Sequence, residues 1–472
     1  MHYDELLPIY AEGPEAVFTL VNGLEERIRE LEAGRNLSSR NSSKPPSSDG
    51  LCKPAPKSQR KRSGRRVGGQ RGHPGTTLQP VENPDHVVLH PVEACPGCGR
   101  SLRRTAAIDS ERRQVIDLPP IRPEVTEHRA EIKASRCGEI SNGTFPEGVS
   151  SPVQYGPRIK ATAVYLSVYQ LLPFQRAGEL FRDLFSLSLS PGTLARVNEC
   201  CYERLASAED AVRQQLMGSP VVHFDESGLY SQGKRHWLHV ASTGRLTLYH
   251  ADARRGVEAM EVMGVLPGFQ GTAVHDHWKP YYRYRGCLHS LCNAHHLREL
   301  TYVHEQLGQR WAEEMKQCLR AMKKAADEAA RRGTALAPRR RRKLERGYDS
   351  ILRKGLRANP PPKPDPRRRR GRPKQSKPKN LLDRLKEYKR DVLRFLNDAA
   401  VPFDNNTGER DIRMAKLKQK ISGTFRGPRG AKIFARTRGY ISTARKNGVN
   451  PLDAIRDALE GKPFIPGKTT ID

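Results

Sequence analysis

Apolar and aromatic residues are scarce in this sequence. Of its 472 residues, 36% are hydrophobic and 6% aromatic, and no apolar run approaches the ~20 residues of a membrane-spanning helix. The first residues lack a basic segment followed by an apolar core, which argues against a secretory signal. Nine cysteines do not make a disulfide scaffold in a chain of this length. We therefore expect a cytoplasmic protein of several domains with no membrane partner.

Acidic residues are also few in comparison with basic ones. Lys and Arg total 83 against 52 Asp and Glu, so the formal net charge is +31. The excess is concentrated in residues 53–72, which hold eight Lys/Arg and no acid, and in residues 338–379, which hold eighteen against three. Such segments are solvated linkers or arms that bind nucleic-acid phosphates, and both descriptions fit an arm that becomes ordered only on binding. The composition favours a nucleic-acid partner.

Three acidic residues stand in positions typical of a nuclease metal site. Asp225 and Asp276 end the apolar runs 221–225 and 272–276, and Glu409 lies near the start of a predicted helix. Carboxylate oxygens are the ligands that Mg²⁺ prefers, and two divalent ions about 4 Å apart can contact both the attacking and the leaving oxygen of a phosphodiester. We predict that Asp225 bridges two Mg²⁺ or Mn²⁺ ions, and that Asp276 and Glu409 each complete the coordination of one.

Each of these acids also has a structural interpretation. An Asp at a strand end commonly forms a turn or caps a helix, and Glu409 has Arg413 four residues later as an ion-pair partner. Glu299, on the helix after 292–298, is the alternative third acid. Glu226 should point to the opposite face of the strand from Asp225, because successive strand side chains alternate.

The order of predicted elements indicates the fold class. Strands are predicted at 221–225, 235–241, 246–250, 271–276 and 288–292, with a helix at 255–264. An antiparallel meander followed by helix-linked strands is the order of a ribonuclease H-like mixed α/β sheet. The helix that carries Glu409 comes late, so we predict a mostly helical insertion over about 297–400 that includes the second basic segment.

A zinc-knuckle pattern offers three candidate thiolate ligands, Cys95, Cys98 and Cys137. A structural zinc site needs four ligands, but Ala134 stands where the fourth cysteine belongs. His90 or His128 completes the site, or the knuckle has lost its Zn²⁺. A separate pair, Cys292 and His295, has the spacing of half a metal site, and it fits a phosphate-positioning histidine or a buried structural pair equally well.

Composition and periodicity divide the chain into six regions. They are a helix over 1–37 with an apolar stripe, either a coiled coil or a helix packed on the body; a polar linker and basic arm over 38–84; a small β-rich zinc-knuckle-like module over 85–150; a helical, DNA-binding-like subdomain over 151–218; the catalytic domain with its insertion over 219–446; and a C-terminal element over 447–472.

Ten basic residues are predicted to contact DNA: Arg65, Arg66 and Arg71 in the first basic segment, Arg370, Arg372 and Lys374 in the second, and Arg410, Arg413, Lys416 and Arg426 after the third acid. The Arg-Gly-Arg-Pro sequence at 370–373 is of a kind that lies extended in the minor groove of A·T-rich DNA. The others would position the duplex through its phosphates without reading its sequence.

Several motifs together resemble those of the insertion-sequence-66 transposases. They are NSSKPPSSD at 41–49, GGQRGH at 68–73, YGPR at 155–158, LP at 172–173, NNTGERDIR at 405–413 and STARKNGVNP at 442–451. They occur in order over nearly the whole chain. The resemblance implies a bacterial DDE transposase with a ribonuclease H-like core, with Asp225, Asp276 and Glu409 as its triad, and a zinc-finger-like module from which Ala134 departs.

The resemblance also implies a function and partners. We predict a nucleoid-associated DNA transposase that binds the terminal inverted repeats of an insertion sequence and catalyses metal-dependent strand cleavage and strand transfer. Its expected partners are transposon-end and target DNA, further copies of itself and small accessory proteins from the same element. A structure-selective nuclease or resolvase, or a decayed DNA-binding protein without catalysis, are the alternatives.

Overall fold

The computed structural model describes residues 3–35, 37–38, 41–42, 72, 78–362 and 375–467. The helices are α1 (Tyr3–Ala11), α2 (Pro14–Arg35), α3 (Pro157–Val164), α4 (Phe174–Phe185), α5 (Pro191–Arg204), α6 (Ala206–Met217), α7 (Val257–Met263), α8 (Asn293–Leu307), α9 (Arg310–Arg331), α10 (Pro338–Ala358), α11 (Lys377–Glu387), α12 (Lys389–Val392), α13 (Arg394–Asn397), α14 (Asn406–Ser422), α15 (Pro428–Lys446) and α16 (Pro451–Leu459). Among the described residues, no helix combines the length and apolarity needed to cross a membrane.

The strands form two sheets. They are β1 (Ile132–Ala134), β2 (Ile140–Asn142), β3 (Val221–Ser231), β4 (Lys234–Ser242), β5 (Thr247–Asp252), β6 (Thr272–His275) and β7 (Leu288–Leu291). The larger sheet has the order β5-β4-β3-β6-β7, in which β3, β4 and β5 are antiparallel and β6 and β7 run parallel to β3. The five strands predicted between 221 and 292 are confirmed, as is the helix between the third and fourth.

The first strand of this sheet is longer than its apolar run. β3 continues beyond Asp225 to Ser231 and pairs with β4 along this whole length, because a tight turn at Gln232 and Gly233 returns the chain directly. Its pairing with β6 stops at His223, opposite Val274. Asp225 therefore does not end its strand. It lies just beyond the last residue of β3 that pairs with β6, where that side of β3 has no neighbouring strand among the described residues.

The sheet is packed on both faces. On one, Val222 and Phe224 of β3 pack with Phe269 and helix α7. On the other, Leu238 of β4 joins a core built from α3 to α5, α14, α15 and α16. Each such apolar side chain contributes roughly 1.5–3 kcal/mol when fully buried, so the sheet is a rigid platform for the groups at its open edge.

Helix α15 lies directly on β5. A Cβ at Gly439 would stand 3.1 Å from the carbonyl oxygen of Thr247, which is closer than a side chain normally approaches a backbone. Thr443 of the same helix accepts a hydrogen bond from the Thr247 amide at 3.0 Å. The absence of a side chain at Gly439 thus sets the short distance between helix and strand.

The helices agree with the sequence-based prediction between residues 157 and 217 but differ from it between 338 and 358. The predicted helices between 157 and 217 are confirmed, including the cap at Ser190, whose hydroxyl accepts from Thr193 N at 3.1 Å. In the insertion, however, residues 338–358 form helix α10, although the sequence analysis treated them as part of one basic segment. Tyr348 and Leu352 are buried on one face of α10, and its cations lie mainly on the other.

The small module around β1 and β2 is largely exposed. No residue between 78 and 156 is buried. The contacts within this segment include short turns, the β1–β2 pairing, a bridge between Ala94 and Ser101, and two hydrogen bonds between the Gln114 side chain and the Val81 backbone. The apolar stripe of α2 is exposed as well, with Val21 47% and Leu31 57% accessible.

Candidate active site

Three segments that are far apart in the sequence bring the predicted acids together. Asp225 projects from the middle of β3, Asp276 directly follows β6, and Glu409 lies in the first turn of α14. All three are half-buried. The open edge of β3 beyond its pairing with β6 is where the three elements meet.

The pKa values of these carboxyl groups show that their charges act on one another. Burial raises the pKa of Asp225 well above its usual range, and the negative charges of Glu226, Asp276 and Glu409 raise it further. Burial and the charge of Glu226 raise the pKa of Asp276 to about 6. Acids whose pKa values are raised in this way, by burial and by neighbouring acids, are typical of functional sites.

The two aspartates have backbone donors but no close cation. Asp225 Oδ1 accepts from the amide of Glu226 at 2.9 Å, and Asp276 Oδ1 accepts from the amide of Trp278 at 2.8 Å. In the part of the chain that the structure describes, no Lys or Arg nitrogen lies within 4.0 Å of either carboxylate. The two aspartates therefore have no cationic side chain at short range to stabilise their ionised forms, which agrees with their raised pKa values.

The spacing of the acids is open. Among the described residues, Asp225, Asp276 and Glu409 do not form a set whose ligand oxygens all lie within 4.8 Å of one another. Carboxylates that share two ions about 4 Å apart need not all lie within the distance spanned by the ligands of a single ion. The donor set of hard carboxylate oxygens fits Mg²⁺ or Mn²⁺.

Glu226 contributes to this site, which the sequence analysis did not anticipate. Its side chain is 2% exposed and accepts from Arg255 Nη2 at 2.6 Å and from the Tyr281 hydroxyl at 2.6 Å. The guanidinium of Arg255 lies between the rings of Trp237 and Trp278, 4.8 and 4.1 Å from their centroids. A buried, paired glutamate thus adds its charge to the field at both aspartates.

Asn405 attaches the start of α14 to the sheet. Its side-chain amide donates to the carbonyl oxygen of Phe224 at 2.8 Å, and its Oδ1 lies 2.7 Å from His223 Nδ1. Its backbone amide donates to Cys292 Sγ at 3.1 Å, at the end of β7. A Cβ at Gly408 would lie 3.0 Å from Asn405 Oδ1, so a larger residue there would crowd the Asn405 side chain. These contacts fix where Glu409 enters the site.

Glu409 and its sequence alternative Glu299 have different partners. Glu409 Oε1 lies 3.3 Å from Arg298 Nη2. Its ion-pair partner is therefore Arg298, whereas the four-residue spacing in the sequence suggested Arg413. Glu299 forms a two-pronged ion pair with Arg384 at 2.8 and 2.9 Å. Only Glu409 of the two is among the charges that raise the pKa of Asp225.

The predicted DNA contacts fall into three groups. Arg65, Arg66, Arg71, Arg370, Arg372 and Lys374 lie outside the described residues. Arg410, Arg413 and Arg426 are exposed on α14 and the loop that follows it. Lys416 is half-buried and donates to the carbonyl oxygen of Gly228, so it holds α14 against β3 instead of standing free in solvent. The loop that carries Arg426 is itself paired to the end of β3 through Phe425.

The module that contains Cys95, Cys98 and Cys137 has the predicted turn, but its cysteines do not lie close enough together to share one metal ion. The Gly99 amide donates to the Cys95 carbonyl at 2.9 Å, and backbone N–H groups of Cys98 and Gly97 lower the pKa of Cys95. The Ser135 hydroxyl lowers the pKa of Cys137. Over residues 78–362 and 375–467, these cysteines do not form a set of three with ligand atoms within 4.8 Å, alone or with His90 or His128.

Comparison with known families agrees with the sequence motifs. Residues 152–433, more than half of the chain, match the Transposase IS66 family, and residues 93–138 match the zinc-finger binding domain of transposase IS66. Residues 14–79 match a family of unknown function. No curated protein matches the chain. With the mixed sheet and the match over 152–433 in agreement, this chain belongs to the Transposase IS66 family.

Proposed function

We propose that this chain is a DDE-type DNA transposase in which Asp225, Asp276 and Glu409 hold two divalent cations at the open edge of β3. The observation that carries the proposal is the meeting of β3, the end of β6 and the first turn of α14 at these acids, with no Lys or Arg nitrogen of the described residues within 4.0 Å of either aspartate. The raised pKa of Asp225 supports it. Family membership supports transposition as the overall process. Cleavage and joining of DNA ends are the steps that this site is proposed to perform.

The sheet supports a ribonuclease H-like core. Numbered along the chain, its five strands have the order 3-2-1-4-5, with an antiparallel meander followed by two parallel strands. The sequence predicted a three-strand meander followed by helix-linked strands, and the observed order supports that prediction. The first acid lies on the central strand and the second follows the adjoining parallel strand. The helices α8 to α13 form the insertion that separates these strands from Glu409.

The acids have distinct roles in the proposal. Asp225, whose pKa is raised by both other acids, would hold both cations, and Asp276 and Glu409 would each hold one. Two bound Mg²⁺ or Mn²⁺ ions would supply the charge that stabilises the attacking and leaving oxygens of a phosphodiester. Glu299 is not assigned this role, because Arg384 occupies both of its oxygens.

DNA is proposed to lie along the basic surface next to the acids. Arg410, Arg413 and Arg426 are exposed there. The first basic segment (53–72) and residues 363–374 of the second are proposed to extend the contact. The apolar stripe of α2 is proposed to join copies of the chain, since its side chains Val21, Leu24, Ile28 and Leu31 are exposed. Small accessory proteins from the same element remain expected partners.

Strand joining is the decisive assay. The full-length chain, Mg²⁺ and a short duplex that carries the element's end should give nicked and joined products. Asp225→Asn should remove both products and leave DNA affinity equal or higher, because the substitution removes a negative charge. Asp183→Asn, at an exposed position on α4, is the matched control and should act like the unmodified chain.

Each other outcome points to a different protein. Nicks without joining would indicate a nuclease or resolvase. Binding of the ends without any metal-dependent cleavage would indicate a DNA-binding protein that has lost catalysis. Cleavage that persists in Asp225→Asn would remove the carboxylates from the proposal.

A further inference from the structure

A second set of metal-ligating side chains adjoins the proposed site. Cys292 follows β7, His295 lies in the first turn of α8, and Glu409 reaches them from α14. Glu409 Oε1 lies 3.8 Å from Cys292 Sγ and 3.7 Å from His295 Nδ1, and all ligand atoms of the three residues lie within 4.8 Å of one another. In the described parts of the chain, no other set of three such residues meets this limit.

One atom of this cluster lacks a partner. His295 Nδ1 is buried and has no hydrogen-bond partner, because Glu409 at 3.7 Å is beyond hydrogen-bond distance. A buried polar atom without a partner costs free energy, and such atoms are rare unless they serve a function. A cation between His295, Cys292 and Glu409 would give the nitrogen a partner.

The distances fit a small tetrahedral ion. At Zn–ligand distances of ~2.0–2.3 Å, the edges of a tetrahedron are ~3.3–3.8 Å long. The two distances from Glu409 Oε1, 3.7 and 3.8 Å, lie within a few tenths of an ångström of those edges. Thiolate, imidazole and carboxylate form a softer donor set than the carboxylates of the proposed site, and Mg²⁺ does not favour such a set.

We propose that Cys292, His295 and Glu409 form a binding site for a divalent cation of the zinc class, with three protein ligands and one open position. Cys292 loses its thiol proton to solvent when the ion binds, since the thiolate is the ligand. Arg298 Nη2 lies 3.3 Å from the same glutamate oxygen and opposes the ion with its positive charge. The affinity should therefore be modest, and neutralising Arg298 should increase it.

The shared glutamate couples this site to the proposed function. A zinc-class ion held by Cys292, His295 and Glu409 would share the charge of the Glu409 carboxylate and orient it toward α8, so zinc should inhibit Mg²⁺-dependent cleavage. This consequence rests on the proposed catalytic role of Glu409. The binding site itself does not, and it is tested without DNA.

Cobalt titration of the full-length chain tests the site. The parent carries Cys95→Ser, Cys98→Ser and Cys137→Ser, so that the module thiols cannot contribute. Co²⁺ should produce a thiolate-to-cobalt charge-transfer absorption, and Zn²⁺ should remove it by displacement. Cys292→Ser should abolish the absorption, whereas Cys287→Ser, the loss of another buried thiol, should retain it.

Two further variants keep the test decisive if Cys292→Ser does not fold. His295→Asn should weaken binding by more than the ~10–100-fold that the loss of an outer-shell partner costs. Arg298→Gln should strengthen it. Circular dichroism without cobalt establishes that each variant is folded. A parent without the absorption, or one whose absorption survives both Cys292→Ser and His295→Asn, would overturn the proposal.

The two proposals fail in different ways. If cobalt binds as expected but zinc leaves cleavage by the unmodified chain unaffected, the site stands and the role of Glu409 in cleavage is contradicted. If cobalt does not bind while cleavage requires Glu409, the function stands and the zinc-class site is contradicted.

Discussion

The carboxylate site and the cysteine module are two candidate metal centres that hold their ligands in different ways. Around Asp225, a packed sheet and a helix attached by the buried side chain of Asn405 bring the acids together without any metal. Around Cys95 and Cys98, most residues are exposed and the contacts are local. Among the described residues, Cys137 does not bring a third ligand atom within 4.8 Å of both of these thiols. The fold organises the first centre, whereas a metal would have to organise the second.

This difference predicts opposite consequences for ligand removal. Substitution of a carboxylate ligand should abolish activity and leave the fold intact. Substitution of a cysteine ligand should unfold the cysteine module and leave the core of the catalytic sheet intact. The following tests run from the largest expected effect to the smallest.

Replacing a carboxylate should give the largest change in activity. Asp276→Asn and Glu409→Gln are each expected to lower strand cleavage by at least ~1,000-fold, on the scale of losing a group that stabilises developing charge. Thermal stability of Asp276→Asn should stay equal or rise, since the substitution removes a buried charge that neighbouring acids repel. Cleavage kinetics and calorimetry measure the two effects, and a large loss of stability would contradict the preorganised site.

Asn405→Ala should reduce both stability and activity. The substitution leaves the carbonyl oxygen of Phe224 and His223 Nδ1 without their partner, at roughly 1–3 kcal/mol each, so we expect a loss of about 2–6 kcal/mol. Asn406→Ala, at the exposed next position, is the control and should cost little. Urea unfolding measures the difference, and equal values for the two variants would contradict the attachment of α14 described here.

The sequence predicted those features of the structure that depend on local residue patterns. Apolar runs located the strands, and the acids at or near their ends, together with Glu409, proved to be electrostatically coupled. The continuation of β3 past Asp225 was missed because residues 226–231 are not an apolar run. Their strand conformation comes from pairing with β4.

Tertiary contacts determine the features of the fold and the site that the sequence did not predict. The density of Arg and Lys at 338–358 hid the apolar face of α10, on which Tyr348 packs and donates to the carbonyl of Leu385 at 2.8 Å. The positive charge of Lys416, a predicted DNA contact, does not by itself show that its side chain donates to the carbonyl of Gly228. The roles of Asn405 and Glu226 depend on partners that are distant in sequence, which no local pattern encodes.

Chelation of metal should affect the cysteine module and leave the core intact. If zinc orders residues 93–138, a zinc chelator or Cys98→Ser should make this segment sensitive to protease, while the main unfolding transition should not shift. Limited proteolysis with mass spectrometry and calorimetry measure the two responses. Unchanged cleavage of the module would show that it has no bound zinc, and a shifted main transition would show that the module and the core are coupled.

Acidity should act on the carboxylate site over a defined range. Because the pKa of Asp276 is about 6 in the folded chain, the folded state binds its proton more tightly than the unfolded state does, so this group lowers stability as pH rises from about 4 to about 6. Metal affinity should rise over the same range, since the cation displaces the proton. The difference in unfolding free energy between the unmodified chain and Asp276→Asn isolates the effect from buried histidines, and a difference independent of pH would contradict it.

Anomalous diffraction from crystals of the chain with Mn²⁺ and an end duplex tests the central claim most directly. The account predicts two manganese peaks about 4 Å apart, with Asp225 in contact with both and Asp276 and Glu409 each in contact with one. A single peak elsewhere, or two peaks that do not touch Asp225, would contradict it.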